Sequence, residues 1–200
     1  MKLAHLLVTA LLGITALSAG CMGDDVQAAG EAGKVEAAQQ EIDGGSPKIL
    51  IAYYSLTGTT RRAAEAIQAK TGGDLFEIQA AEPYPTEHDP CLERDIQEIK
   101  ENARPQVANK VADMTQYDVV FIGYPIWYYQ APMLINTFLE GYDLQGKLVV
   151  PFCTSGGYPI DNSIEMLKDS LQGARLAEGL RIDRSSDLDG WLSRIGVARQ

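Results

Sequence analysis

Apolar positions form one long N-terminal run and then a series of short runs that alternate with helical spacings. Five short runs have the composition of strands that are covered on both faces of a parallel sheet. These runs are 48–54, 75–79, 119–124, 148–153 and 175–182. Strands and helices that alternate in this way predict an α/β fold with an open five-stranded sheet and helices on both faces.

Helical spacing separates the five strand segments. The apolar positions that share a helix face are Ala63, Ala64 and Ile67; Leu92, Ile96 and Ile99; Leu134, Ile135, Phe138 and Leu139; Ile164, Leu167 and Leu171; and Leu188, Trp191, Leu192 and Ile195. Gly72 is expected to end the first helix, and Asp187 is expected to cap the last. Open α/β sheets bind ligands beyond the carboxyl ends of their strands. The loops after the first, third and fourth strands are therefore the candidate site.

The first twenty residues have the pattern of an export signal. Residues 3–17 are almost wholly apolar, and this run is shorter than the ~20 residues that span a bilayer. It ends in LSAGC at 17–21, which resembles the lipobox of bacterial lipoproteins. This resemblance implies cleavage after residue 20, lipidation of Cys21 and an extracytoplasmic protein anchored to a bacterial membrane. Ala16 and Ser18 also fit an ordinary signal peptidase, which would release a soluble protein with a free Cys21.

Composition and charge narrow the function of the rest of the chain. Residues 21–47 lack apolar periodicity and are expected to form a flexible linker, and residues 48–200 are expected to form the folded domain. The chain has 17 Lys+Arg and 27 Asp+Glu; without Lys2 of the signal peptide the formal charge is 16 − 27 = −11. An acidic protein of this kind is not expected to bind nucleic acid, and its charge favours positively charged protein partners.

Hydroxyl side chains crowd the loop after the first strand. Four hydroxyl residues flank Gly58 in this loop: Ser55, Thr57, Thr59 and Thr60. Free N–H groups at a helix start, the helix dipole and neutral hydroxyl donors together suit a phosphate group. The loop lacks both GxxxxGK[ST] and GxGxxG, which disfavours a nucleoside triphosphate and a dinucleotide. A helix N-cap without a ligand is the alternative.

The loops after the third and fourth strands have the composition of walls around a planar ring. Aromatic side chains and prolines dominate the first of them, in Pro125, Ile126, Trp127, Tyr128 and Tyr129. Flat apolar contacts of this kind contribute about 0.5–1.5 kcal/mol beyond area burial. The second contains Thr154, Ser155, Gly156 and Gly157, where paired glycines allow the backbone to approach a ligand closely. An aromatic packing cluster and a plain glycine turn are the alternatives.

Together the three loops resemble those of a known family. The pattern S-x-T-G-x-T after a hydrophobic strand is similar to the FMN phosphate loop of flavodoxins. Pro-Ile-Trp and Thr-Ser-Gly-Gly resemble flavin loops in the branch near NAD(P)H-dependent quinone and flavin reductases. The resemblance implies a three-layer sandwich with strand order 2-1-3-4-5 and FMN as the cofactor. It also implies contacts to FMN from all the loop residues named above except Tyr129, whose contact is left open.

The function implied by the resemblance is electron transfer through the bound flavin, with a protein or a quinone as redox partner. Two alternatives stay open: an NAD(P)H-dependent quinone or flavin oxidoreductase, and a flavin-free binding lipoprotein on the same fold. The sequence does not determine the oligomeric state. Cys153 is expected to be a packed thiol, although a disulfide with Cys91 is conceivable in an oxidising compartment. His88, between two acidic residues, is expected to lie in a solvated loop, and no metal site is predicted.

Overall fold

The structure is a computed structural model that describes residues 46–197. The strands in this range are β1 (Ile49–Tyr53), β2 (Asp74–Glu77), β3 (Val119–Pro125), β4 (Leu148–Thr154), β5 (Arg175–Leu176) and β6 (Leu180–Arg181). The helices are α1 (Thr59–Thr71), α2 (His88–Lys100), α3 (Met133–Glu140), α4 (Asp161–Leu167) and α5 (Leu188–Arg194), with a 3₁₀ helix at Lys168–Leu171. The predicted signal peptide, the lipidation site Cys21 and nearly all of the predicted linker lie outside the described residues.

All strand pairs in the sheet are parallel. The order is β2-β1-β3-β4-β5, and β6 also pairs with β4. This confirms the predicted α/β fold and the predicted order 2-1-3-4-5. Because the order reverses beside β1, the loops after β1 and β3 flank the topological switch point at which such sheets bind ligands.

The central strands are buried on both faces, as their apolar sequences predicted. Alternate residues of β1 belong to different cores: Leu50 and Ala52 pack beneath α2 and α3, whereas Ile49 and Ile51 pack beneath α1 and α5. This alternation is the period of two of a pleated strand. Helices therefore cover both faces of the sheet, so a ligand can reach the sheet only at the ends of its strands.

Two helix boundaries follow from local sequence as expected. Gly72 ends α1 in the left-handed conformation, with φ of +74°, and its N–H donates to the Gln68 carbonyl at 2.7 Å. Asp187 caps α5, since its Oδ1 accepts a hydrogen bond from the Gly190 N–H at 2.9 Å. Within residues 46–197, no helix is long and apolar enough to cross a bilayer.

The predicted fifth strand differs from the structure in one respect. A continuous strand over 175–182 was expected, but the chain pairs with β4 only at β5 and β6 and leaves the sheet between them. Gly179 lies in this interruption, and a Cβ atom there would be 2.6 Å from Cδ1 of Ile164 and 3.2 Å from the carbonyl oxygen of Pro151. The break also lies beside Pro151 of β4, which has no N–H to donate to a neighbouring strand, and the pairing register gains one residue there.

Candidate functional site

The three predicted loops meet at the carboxyl ends of β1, β3 and β4. The backbone N–H of Ile126 donates to the carbonyl of Thr154 at 2.9 Å, which joins the second loop to the third. The hydroxyls of Thr60 and Thr154 are hydrogen-bonded to each other at 2.9 Å and are buried. Thr60 therefore ties the start of α1 to the end of β4. The residues selected from sequence surround one region of the molecule.

The first loop leads into α1 through a glycine. Gly58 is the N-cap residue, with φ of +81°, a left-handed conformation that glycine adopts without strain. No side chain caps the helix, and its first turn has no acidic residue. The Thr57 and Thr59 hydroxyl oxygens are 3.4 Å apart beside this turn. The N–H groups at the start of α1 therefore have no capping side chain, an arrangement that suits an anion.

Ser55 tests whether this loop fits the phosphate group of FMN. Its Oγ is buried and has no hydrogen-bond partner among the described residues. A buried polar group without a partner costs about 1–3 kcal/mol, so such groups are rare in folded proteins. A phosphate oxygen in this loop would accept the missing hydrogen bond. The residues present therefore fit the phosphate of FMN.

Replacing Ser55 with alanine is expected to change stability and affinity in opposite directions. Without FMN, Ser55→Ala should raise the free energy of unfolding by about 1 kcal/mol, because an unpartnered buried hydroxyl is removed. With FMN, the same variant should bind about tenfold more weakly, because one hydrogen bond to a charged group is lost. Urea unfolding and an FMN titration measure the two effects.

Ser163 provides the matched control for that pair of measurements. Its hydroxyl is buried and satisfied, since it donates to the Ile160 carbonyl at 2.6 Å and lies 3.0 Å from the Tyr124 hydroxyl. Ser163→Ala should lower stability. A Ser55→Ala variant that loses stability as Ser163→Ala does would contradict the assignment of Ser55 to a ligand.

The second loop is a tight turn with a strained backbone. Trp127 and Gln130 exchange two backbone hydrogen bonds, of 3.0 and 2.8 Å, around Tyr128 and Tyr129. Both tyrosines have positive φ, of 31° and 71°. Such conformations are uncommon for residues other than glycine, cost on the order of 1–3 kcal/mol each and cluster at functional sites. The turn holds both tyrosine rings at the surface.

Three half-exposed tyrosines, here called the tyrosine rim, connect the second and third loops. They are Tyr128, Tyr129 and Tyr158, which are 50%, 50% and 48% exposed. The ring of Tyr129 is 5.4 Å from that of Tyr128 and 4.6 Å from that of Tyr158. The Oγ of Ser155 accepts hydrogen bonds from the N–H groups of Gly157 and Tyr158, which shapes the third loop. The rim forms an aromatic border to the site.

The paired glycines of the third loop face open space. A Cβ atom at Gly156 or Gly157 would have no other atom within 4 Å. Packing against the rest of the chain therefore does not explain why small residues occur here. At Gly157 the backbone conformation, with φ of +159°, favours glycine by itself. At Gly156 the open space leaves room for a ligand beside the backbone, which fits the approach of a flavin ring to backbone N–H groups.

Sequence reasoning missed two aromatic residues that support Trp127. Tyr54, the last residue before the first loop, has its ring 5.7 Å from that of Trp127. Tyr84, from the irregular segment after β2, has its ring 5.1 Å from that of Trp127. Burial raises the pKa of both tyrosines, so both stay neutral. The position of Tyr54 directly before the hydroxyl-rich loop was a usable indication, but Tyr84 had none.

The sequence also left the two arginines of α1 undistinguished. The Arg61 guanidinium is paired with both oxygens of Glu77 at 2.6 Å. Arg62 forms no ion pair within residues 46–197, and its Nη2 donates to the Thr59 hydroxyl at 3.2 Å. One of its guanidinium nitrogens would lie 3.6 Å from a Cβ atom at Gly58. Arg62 therefore brings to the first loop a positive charge without an acidic partner among the described residues.

The remaining candidates have structural positions. Cys91 and Cys153 are buried and free, without a disulfide between them, and burial raises the pKa of Cys153 to about 12. His88 is exposed, as expected, but it is the first residue of α2 rather than part of a loop, and its Nδ1 is 2.7 Å from the Asp89 carboxylate. In the part of the chain that the structure describes, no three metal-ligating side chains are grouped so that they would hold an ion.

Comparison with known proteins places these features in a family. A search of curated proteins found no match. A flavoprotein from Bacteroides eggerthii is 44% identical, with 76% of this chain and 99% of that chain covered and a TM-score of 0.67. A flavoprotein from Bacteroides uniformis is 34% identical, with coverages of 71% and 94% and a TM-score of 0.63.

A third structure was solved with its cofactor. It is a flavoprotein from Lactobacillus acidophilus in complex with FMN, 25% identical, with coverages of 72% and 98% and a TM-score of 0.62. The Flavodoxin family model matches residues 48–195, which include all six strands and all three loops. The chain belongs to the flavodoxin family.

Proposed function

We propose that this protein binds FMN in the three loops and functions as a redox protein through the bound flavin. Membership of the flavodoxin family and the FMN complex of the Lactobacillus relative support FMN as the cofactor, as predicted from sequence. The observation in this chain that carries the proposal is the buried, unpartnered hydroxyl of Ser55, beside an uncapped helix start. The flavin would supply the redox chemistry, and the protein supplies binding and orientation.

Each loop would bind a different part of the cofactor. Ser55, Thr57, Thr59 and the N–H groups around Gly58 would hold the phosphate. Thr60 and Thr154, which bond to each other, would keep the first and third loops together. Pro125, Ile126, Trp127 and Tyr128 would border the ring. The backbone of Ser155, Gly156 and Gly157 would face its polar edge, where N–H donors favour negative charge on a reduced flavin.

An FMN titration followed by chemical reduction tests the proposal. The full-length protein should bind FMN saturably. Dithionite should remove the visible absorbance of the bound flavin, and this absorbance should return when an electron acceptor is added. A folded protein that fails to bind FMN would support the flavin-free binding lipoprotein instead.

Arg62 is expected to strengthen binding of the phosphate dianion through its unpaired charge. Arg62→Gln should weaken FMN affinity about three- to tenfold at low salt, and the difference should shrink in about 0.5 M NaCl, where charges are screened. Lys70→Gln makes the same charge change in the last turn of α1 and should have little effect. Equal effects of the two variants, or no dependence on salt, would argue against this role. Isothermal titration calorimetry measures all of these affinities.

The physiological reaction has two candidates. Electron transfer to a protein partner is favoured by the formal charge of −11 after signal removal, since an acidic surface steers positively charged partners to it. A quinone or flavin oxidoreductase is favoured by the tyrosine rim, because half-exposed rings beside the ring site suit a small planar acceptor. Steady-state NADPH oxidation with a quinone by the FMN-loaded protein separates the two, and absence of turnover would exclude the enzyme.

We further propose that the protein is lipid-anchored through Cys21 on the extracytoplasmic side of a bacterial membrane. The support is the apolar run followed by LSAGC at 17–21. Palmitate supplied during growth in a bacterium should label the wild-type chain and the Cys91→Ser control, but not Cys21→Ser. Label in all three proteins, or in none, would contradict lipidation at Cys21.

A further inference from the structure

Two tyrosines lie behind Trp127 of the second loop, and the proposed function gives neither of them a role. Trp127 contacts Tyr84 edge-on, with ring centroids 5.1 Å apart, and contacts Tyr54 with centroids 5.7 Å apart. Tyr54 and Tyr84 also contact each other at 5.7 Å. Both tyrosines are buried, whereas Trp127 is only partly buried. The two tyrosines therefore form the inner support of Trp127.

Tyr84 is itself held by a charged pair on α2. Its hydroxyl donates to Oε2 of Glu98 at 2.7 Å, and Glu98 is only 8% exposed. The guanidinium of Arg94 lies over the Tyr84 ring, 4.0 Å from the centroid, and its Nε donates to the other carboxylate oxygen of Glu98 at 2.8 Å. The Tyr84 ring is thus fixed through one face and its hydroxyl while it contacts Trp127.

The segment that carries Tyr84 is anchored although it is irregular. Ala80 forms a bridge with Val107, and the Ala81 N–H donates to the Gln106 carbonyl at 2.8 Å. Arg94 also donates to the carbonyl of Pro83 at 3.1 Å. Because Tyr84 is held against α2, it offers Trp127 of the second loop a contact at a fixed position.

We propose that Tyr84, held by Glu98 and Arg94, is a positioning residue that orients Trp127 for the flavin ring. The backbone of the Trp127 turn is fixed by its two hydrogen bonds with Gln130, which leaves the orientation of the indole to the rings that it contacts. Edge-on aromatic contacts have a preferred geometry and supply that orientation. This role rests on the proposed FMN site, but its effect on Trp127 exists without FMN.

The experiment uses the two tryptophans of the chain, replaced biosynthetically by 5-fluorotryptophan and observed by ¹⁹F NMR in the FMN-free, full-length protein. Trp191 is the internal reference, because it packs on Phe121 in the core on the other face of the sheet. Trp127→Phe assigns the resonances. In Tyr84→Leu, the Trp127 resonance should broaden or split, because the indole is no longer held in one orientation, while that of Trp191 stays unchanged. A simple shift would report only the missing ring, so a Trp127 resonance that stays single and as narrow as in the wild-type protein would overturn the proposal.

FMN affinity is the second readout, with Tyr117 as a matched control. Tyr117 is also buried, its hydroxyl donates to Asp74 at 3.0 Å, and the Lys48 ammonium lies 5.3 Å from its ring centroid, but it makes no ring contact with Trp127. Tyr84→Leu should raise the Kd for FMN about five- to tenfold, and Tyr117→Leu less than about twofold. Equal losses in the two variants would reduce Tyr84 to general packing and overturn the proposal.

Two more variants complete the test. Tyr84→Phe keeps the ring and should retain the wild-type Trp127 resonance and most of the affinity; a loss as large as that of Tyr84→Leu would contradict a role for the ring contact. If Tyr84→Leu does not fold, Arg94→Gln removes the guanidinium over the ring, and it should broaden or split the Trp127 resonance alone. A wild-type protein that fails to bind FMN would refute the proposed function, while the NMR comparison would still decide the role of Tyr84.

Discussion

The double variant Thr57→Ala with Thr59→Ala is expected to bind FMN at least about 100-fold more weakly than the wild-type protein. Each hydroxyl would donate one hydrogen bond to the phosphate, and bonds to charged groups contribute about 1.5–3 kcal/mol each. Riboflavin has no phosphate, so its affinity should be nearly the same in the variant and the wild-type protein. Calorimetric titration of both proteins with both ligands measures the four affinities.

Two other threonines provide the control for that experiment. The hydroxyls of Thr71 and Thr137 donate to the carbonyl oxygens four residues earlier in their own helices, at 2.9 and 3.4 Å. The double variant Thr71→Ala with Thr137→Ala should leave FMN affinity almost unchanged. If the loop variant also binds FMN as tightly as the wild-type protein, the phosphate has been assigned to the wrong loop.

Asp95 is the source of the second large effect. This residue on α2 is fully buried, and neither of its carboxylate oxygens has a hydrogen-bond partner among residues 46–197. Burial, and to a lesser extent the negative charge of Glu98, raise the pKa of Asp95 to about 7. The folded protein therefore keeps a proton on Asp95 at pH values where the unfolded chain has lost it.

The consequence is that Asp95 makes the folded state less stable as the pH rises. Its contribution to the free energy of unfolding is fully present below the ordinary pKa of 3.8. That contribution falls progressively between pH 3.8 and about pH 7, and at higher pH it no longer changes. An asparagine side chain at this position would not titrate. Asp95→Asn should therefore match the wild-type protein most closely in acid, and its advantage in the free energy of unfolding should grow by about 2 kcal/mol between about pH 5.5 and pH 8.5.

Urea unfolding of both proteins at several pH values measures this difference. Glu93→Gln is the control, because it removes one negative charge from an exposed position of the same helix. Its stability difference from the wild-type protein should stay within about 0.5 kcal/mol over the same range. A gap between Asp95→Asn and the wild-type protein that is constant or narrows with pH would show that Asp95 has a partner and is ionised in the folded state.

The fold was predictable because strands that are buried on both faces have consecutive apolar residues, a pattern that is visible in the sequence. In β1, Leu50 and Ile51 face opposite cores and are both apolar, and β3 and β4 show the same pattern. The interruption between β5 and β6 does not show in the apolar pattern of 175–182, because it involves residues of other elements, Pro151 of β4 and Ile164 of α4, that lie against this segment. Contacts between elements leave little trace in the local pattern.

The same distinction applies to the site. Ser55, Thr57 and Gly58 follow a buried strand directly, so their place at the sheet edge could be inferred from sequence alone. Tyr84 lies in a proline-rich segment without periodicity, and its contact with Trp127 arises only in the folded chain. Asp95 occupies a helical position that sequence cannot distinguish from an exposed one until the packing of α2 on the sheet is known.

The central claim is that the loop from Ser55 to Thr60 holds the phosphate of FMN while the aromatic loop borders its ring. Calorimetric titration of the folded, full-length protein with FMN and, separately, with riboflavin tests it most directly. The account predicts saturable binding of one FMN per chain and an affinity for riboflavin that is lower by at least about 100-fold. Equal affinity for the two ligands, or no saturation with FMN, would contradict it.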